Sequence, residues 1–90
     1  MSEPKFPLGR VVTTHAALSE IASHDMRAAL FRHAAGDWGD ICDDDRKEND
    51  MSLEKGLRLV SAYRAANGAK FLIITEADRS ATTVLLPSDY

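Results

Sequence analysis

The chain has 90 residues, 44% of them hydrophobic, 28% charged and 7% aromatic. That length fits one domain of roughly the usual 100–200 residues, and the composition excludes collagen-like, low-complexity and strongly disordered classes. A net charge of −3 and a pI near 5.5 set it apart from domains that grip nucleic acid electrostatically, which carry a basic stripe or a pI above ~9.

Residues 1–8 hold Pro4 and Pro7 and little periodicity, and are predicted to form an extended N-terminal arm. Residues 9–90 form a single α+β domain. Met1-Ser2-Glu3-Pro4-Lys5 lacks the basic and then apolar pattern of a signal peptide. No apolar run approaches the ~18–20 residues of a membrane span. Cys42 is the single cysteine, so no internal disulfide is expected, as in cytoplasmic proteins.

Gly9 to Thr13 reads as a short strand because Val11, Val12 and Thr13 are β-branched. Thr14 can cap a helix whose Ala17, Leu18, Ile21 and Ala22 fall on one face. Ser23 or Asp25 can cap a second helix, with Met26, Ala29, Leu30 and His33 on its apolar face and Gly36 at its end. Gly36-Asp37-Trp38-Gly39-Asp40 is a loop. Asp43-Asp44-Asp45 opens a third helix, where acids complement the dipole; it runs to about Lys55, stops at Gly56 and belongs at the periphery because its first half is polar.

The last third changes period. Leu57, Leu59, Ser61 and Tyr63 alternate with Arg58, Val60, Ala62 and Arg64, a strand with two different faces. Asn67-Gly68 signals a two-residue type I′ hairpin, which sets Arg64 opposite Phe71, Tyr63 opposite Leu72 and Ala62 opposite Ile73. Phe71-Leu72-Ile73-Ile74 is the central strand, Glu76 to Ser80 a turn, and Thr82 to Leu86 the third strand of the meander, stopped by Pro87. The order is β-α-α-α-β-β-β, with the helices on one sheet face. Phe71 and Ile73 then lie opposite Leu72 and Ile74, so the uncovered face needs the arm or a second copy, and a homodimer is open. The order is similar in topology to the ribosome-dependent toxins, but those are basic and this chain is acidic.

The charges are uneven. Asp37, Asp40, Asp43, Asp44, Asp45, Glu48 and Asp50 crowd one stretch, offset in part by Arg46 and Lys47. They read as a solvated loop and polar helix face, or as a docking surface for a basic partner, with Trp38 as its apolar anchor. Between two glycines, Trp38 serves equally as a plug at the sheet edge. The acids lack the calcium-loop pattern, and the cysteine and histidines lack zinc spacing, so no metal and no cofactor is expected. Cys42 among acids is disfavoured as a thiolate. His33 is the candidate acid or base; its structural role is a core histidine bonded to a carbonyl or to Asp37. Glu76, Asp78 and Arg79 read as a turn, or with His33 as a catalytic cluster if the four converge in one cleft.

His33-Ala34-Ala35-Gly36-Asp37-Trp38-Gly39-Asp40 resembles an H-x-x-G-D-W-G segment. Ile74 to Thr82, with Leu85-Leu86-Pro87-Ser88-Asp89-Tyr90, resembles I-T-E-A-D-R-S-x-T followed by L-L-P-x-x-Y. Together they resemble small bacterial proteins labelled plasmid-related, over Leu8 to Tyr90. The resemblance implies a context, the small cargo of plasmids, phages and integrated elements, and no catalytic residue. The expectation is therefore a non-enzymatic protein-binding accessory factor of a mobile element, an inhibitor of a host defence or DNA-binding complex, with no direct nucleic-acid contact and no membrane contact. The alternative is a small hydrolase or toxin-like nuclease using His33 with Glu76, Asp78 and Arg79.

Overall fold

The computed structural model describes residues 3–90. Strand β1 (Arg10–Thr13) leads to helices α1 (His15–Glu20), α2 (Ser23–Ala34) and α3 (Asp43–Lys55). Strands β2 (Leu59–Arg64), β3 (Lys70–Thr75) and β4 (Ala81–Leu85) follow, then a 3-10 turn over Pro87–Asp89. The sheet order is β1-β4-β3-β2. The meander β2-β3-β4 is antiparallel, and β1 joins it parallel to β4. This is the α+β architecture the sequence pattern predicts.

Local chemistry explains most boundaries. Thr14 accepts a hydrogen bond from the Ala17 amide at 3.2 Å and starts α1. Helix α1 stops at Glu20, so Ala17 and Ile21 are buried while Leu18, expected on the same face, is 61% exposed. Helix α2 starts without the expected side-chain cap from Ser23 or Asp25; Ala22 holds the capping position. Its Met26, Ala29 and His33 are buried. Helix α3 opens on Asp43, Asp44 and Asp45 and ends at a left-handed Gly56.

The hairpin corrects one expectation. Tyr63 pairs with Phe71, Ala62 with Leu72 and Arg64 with Lys70, one residue off the expected register. The loop has three residues, closed by Gly68 N–H to Ala65 O at 2.9 Å and Ala65 N–H to Ala69 O at 2.8 Å. Gly68 alone of the pair has positive φ (88°), so the turn is not type I′. Asn67 keeps its side chain for other work. It accepts from Ala69 N–H at 2.9 Å and donates to Glu20 O at 3.0 Å, tying the hairpin to the end of α1.

With this register, Leu59, Ser61, Tyr63, Phe71, Ile73, Thr75, Thr82 and Val84 share one face, and all are buried. Ala17 of α1, Ile21 just after it, and Met26 and Ala29 of α2 pack in the same cluster. Full burial of side chains such as Phe71 and Ile73 stabilises the fold by about 1.5–3 kcal/mol each. A second cluster of Phe6, Trp38 and Leu59, with Leu8, Ile41 and Leu53 packed against it, fills the space under α3. The arm therefore lies on the helix side: Phe6 is buried and the Lys5 amide donates to Ala34 O at 2.7 Å. On the opposite face Ala62, Ile74 and Leu85 are buried, and Val60 and Leu72 half-buried. The 3-10 turn contacts β3.

The outer edge of β2 is closed in two ways. The Ala62 amide donates to Trp38 O at 3.2 Å, and Ala62 O accepts from Asp40 N–H at 2.7 Å. Gly39 sits between these bonds with φ 76°, and a side chain there would run into the Ala62 carbonyl and the Tyr63 ring. Two residues along β2, the Asn49 amide of α3 copies a strand residue, donating to Val60 O at 2.6 Å and accepting from Val60 N–H at 3.2 Å. No helix among the described residues is long and apolar enough to cross a membrane.

Candidate functional site

His33 projects from α2 onto the sheet, and nothing of it is exposed. Its Nδ1 meets Ser61 Oγ at 2.5 Å, and its Nε2 meets Thr75 Oγ1 at 2.8 Å. Thr75 Oγ1 lies 2.8 Å from Thr82 Oγ1, which donates to Leu8 O at 2.7 Å. The carbonyl at the end of this chain only accepts, which fixes every proton upstream. Thr82 gives its proton to Leu8 O, so Thr75 donates to Thr82. Thr75 then accepts from His33 Nε2–H, leaving Nδ1 to accept from Ser61 O–H. The imidazole is thereby held neutral in one tautomer.

Burial reinforces this state. Desolvation first, and the Arg79 charge second, push the His33 pKa down from 6.5 to about 4. The ring is also walled by aromatics. Phe6 meets it edge-on at 5.3 Å between centroids and Trp38 at 5.6 Å. A histidine and a serine at bonding distance resemble a nucleophile with its base. Here Ser61 and His33 are both wholly buried, so this pair ties α2 to the sheet.

Trp38 is 1% exposed, and its indole N–H donates to Asp50 at 2.9 Å. It is the plug at the sheet edge, and it is not available as an interface anchor. Asp37 is similarly engaged. Arg32 bonds both its oxygens, at 2.8 and 3.3 Å, its Oδ1 also accepts from Gly39 N–H at 3.1 Å, and Arg32 holds its carboxyl below the usual carboxylate range.

Arg79 stands at φ 62°. Its guanidinium donates to Leu57 O at 2.6 Å, Glu76 O at 3.1 Å, Ala77 O at 3.3 Å and Ser52 O at 3.2 Å. It also lies 5.5 Å from the centre of the Phe6 ring. These bonds gather carbonyls from the end of α3, from Leu57 and from its own turn, where a cation is favoured. Replacing Arg79 by alanine is expected to lower the unfolding free energy by about 2–3 kcal/mol in a urea titration, with little recovery by lysine, which lacks the planar fork. A loss below about 0.5 kcal/mol would show that the carbonyls are satisfied without it.

Glu76 and Asp78 are exposed. Asp78 accepts from Ser80 N–H at 3.0 Å, and its bonds to Ser80 hold its carboxyl low. The four residues of the catalytic alternative thus do not share a cleft: His33 is sealed, Arg79 is spent on carbonyls, and both carboxylates face water.

The acids of α3 are placed otherwise. Asp40, Asp43, Asp44, Asp45 and Glu48 are all exposed. The carboxylates of Asp43 and Asp40 form long ion pairs, 3.9 Å to Arg46 and 3.9 Å to Arg64. Beside them a depression of about 340 Å³ runs between α3 and β2, lined by Ile41, Asp45, Glu48, Val60, Arg58 and Tyr90 among others. No three His, Cys, Asp or Glu side chains among the described residues are grouped to hold a metal ion.

No protein-family model, curated protein or solved structure matches this chain.

Sequence reasoning missed three features. The Ser61–Thr75–Thr82 ladder needed the true hairpin register to appear on one face. Phe6 was hidden between two prolines. The work of Arg79 depended on where α3 ends, which only the tertiary fold reveals.

Proposed function

We propose that this chain is a small, non-enzymatic protein-binding factor of a mobile element that docks a basic surface of its partner on α3. The observation that carries this reading is the depression between α3 and β2. It combines apolar lining from Ile41, Val60 and Tyr90 with two acids, Asp45 and Glu48, and one base, Arg58, which lies over the Tyr90 ring, beside the exposed Asp40, Asp43 and Asp44. An apolar centre with a polar, solvent-accessible rim is the usual anatomy of a protein–protein interface. The depression takes the role first assigned to Trp38, so the partner brings the anchoring side chain and this protein brings the recess. Acids at the margin speed encounter and weaken with salt. A DNA-binding or host defence complex, whose basic groove such a surface would block, is the target class. The hydrolase or nuclease alternative draws no support from a sealed His33.

The test is the triple charge reversal Asp43→Lys, Asp44→Lys, Asp45→Lys, compared with the unaltered protein in affinity capture from native host lysate at low and high salt. Captured protein and nucleic acid are identified in parallel. A stoichiometric partner held at low salt, released at high salt and lost with the reversal is the expected result. Equal capture by both proteins would remove the α3 surface from the reading.

A further inference from the structure

The side of the molecule away from α3 carries a different surface. Strand β1 is at the edge of the sheet, with β4 as its one neighbour. The Arg10 amide donates to Ser80 O at 3.0 Å and the Thr14 amide to Val84 O at 3.0 Å. Alternation therefore turns the N–H and C=O groups of Val11 and Thr13 outward, along the open edge. Val11 is 45% exposed, and Phe31, on the facing surface of α2, is 61% exposed. Between them lies a groove of about 470 Å³ lined by Pro4, Pro7, Leu8, Val11, Leu30 and Phe31, with Arg27 its one charged lining residue among the described residues. Arg10, on the opposite sheet face, and Arg27 are both exposed, and neither forms an ion pair among the described residues.

We propose that the β1 edge receives an extended acidic peptide segment of a partner protein as a fifth strand. Backbone bonds to Val11 and Thr13 would hold the added strand. Alternate side chains of that strand fall on the helix side, where the groove accepts apolar groups between the edge and α2. The side chains between them fall on the Arg10 face, where an acid makes an opposite-charge cross-strand pair. Arg27 meets a further acid at the groove margin. Charge decides between this occupant and a second copy. A two-fold pairing of β1 with itself would bring two Arg10 and two Arg27 side chains into one interface, whereas an acidic strand neutralises both. This surface is separate from the α3 face, so either can fail without the other.

The experiment uses the full chain and two capped synthetic hexapeptides, Val-Asp-Val-Glu-Val-Asp and its lysine counterpart Val-Lys-Val-Lys-Val-Lys. Amide hydrogen exchange and chemical shifts are followed by NMR. The acidic peptide is expected to slow exchange at Val11 and Thr13 at least tenfold and to shift Leu30 and Phe31. The lysine peptide should bind at least tenfold more weakly, and the double variant Arg10→Glu, Arg27→Glu should reverse that order. Both arginines are exposed, so the variant leaves the core alone. Unchanged exchange at Val11 and Thr13 with saturating acidic peptide would overturn the proposal. So would equal binding of both peptides, or protection of those amides that grows with protein concentration alone and reports a second copy on the edge.

Discussion

Replacing Trp38 by alanine is expected to lower the unfolding free energy by about 3–5 kcal/mol, as for large aromatic truncations in well-packed cores. The side chain is 1% exposed and stacks 6.2 Å from Phe6 while meeting His33 edge-on. Its loss opens a cavity beneath α3 and leaves Asp50 without the indole N–H. Because a small domain holds only about 5–15 kcal/mol in all, the variant should sit near its own unfolding transition at room temperature. Urea titration followed by circular dichroism measures this. A loss below about 1 kcal/mol would mean that the 36–40 loop closes the edge of β2 without its indole. Tryptophan to phenylalanine should recover part of the loss, since it restores ring contact and omits the bond to Asp50.

The second large effect is on pH. An unfolded histidine titrates near 6.5, while His33 in the folded protein takes its proton only near 4. Above 6.5 neither state holds the extra proton and the fold is at full strength. Between 6.5 and 4 the unfolded chain binds the proton and the folded chain does not, so stability falls as pH falls. Below 4 both states are protonated and the loss levels off. At 1.36 kcal/mol per pKa unit, His33 alone removes up to about 3 kcal/mol across that window. Protonation would also place a donor at Nδ1, opposite the Ser61 hydroxyl that now donates to it. His33→Gln is the informative comparison, because its amide can accept from Ser61 and donate to Thr75 without titrating. The stability difference between the two proteins should shrink by about 2–3 kcal/mol from pH 7 to pH 4.5. A difference that stays constant would mean that His33 is protonated inside the fold as readily as outside.

The element order and fold class were legible because each signal was local. β-branched runs marked the strands, acids opened α3 and Gly56 closed it. The hairpin register was not, because Asn67-Gly68 carries the composition of one turn while Asn67 spends its side chain on Glu20 and Ala69 to build another. That single-residue shift also concealed the hydroxyl ladder, since Ser61, Thr75 and Thr82 line up only in the true register. The parallel pairing of β1 with β4 left no trace in sequence spacing. At the site, His33 and Trp38 drew attention as unusual residues in a small chain. Both turned out to be interior, but His33 bonds the hydroxyls of Ser61 and Thr75 and not the expected carbonyl or Asp37, which Arg32 holds instead. Arg79 was legible only as part of a turn with Glu76 and Asp78. It bonds carbonyls, because α3 and Leu57 arrive above it from elsewhere in the chain.

The junction of β1 with β4 also bears on how the protein is made. Arg10 pairs with Ala81 and Thr13 with Val84, so β1 leaves the ribosome long before its sheet neighbour exists. Helices α1 and α2 can form on the nascent chain, but the surface they must cover is assembled from strands synthesised after them. Long-range closures of this kind come late and are slow. Until β4 arrives, Val11 and Val12 belong to an unpaired apolar strand, and the sheet cannot close before β4 has been synthesised.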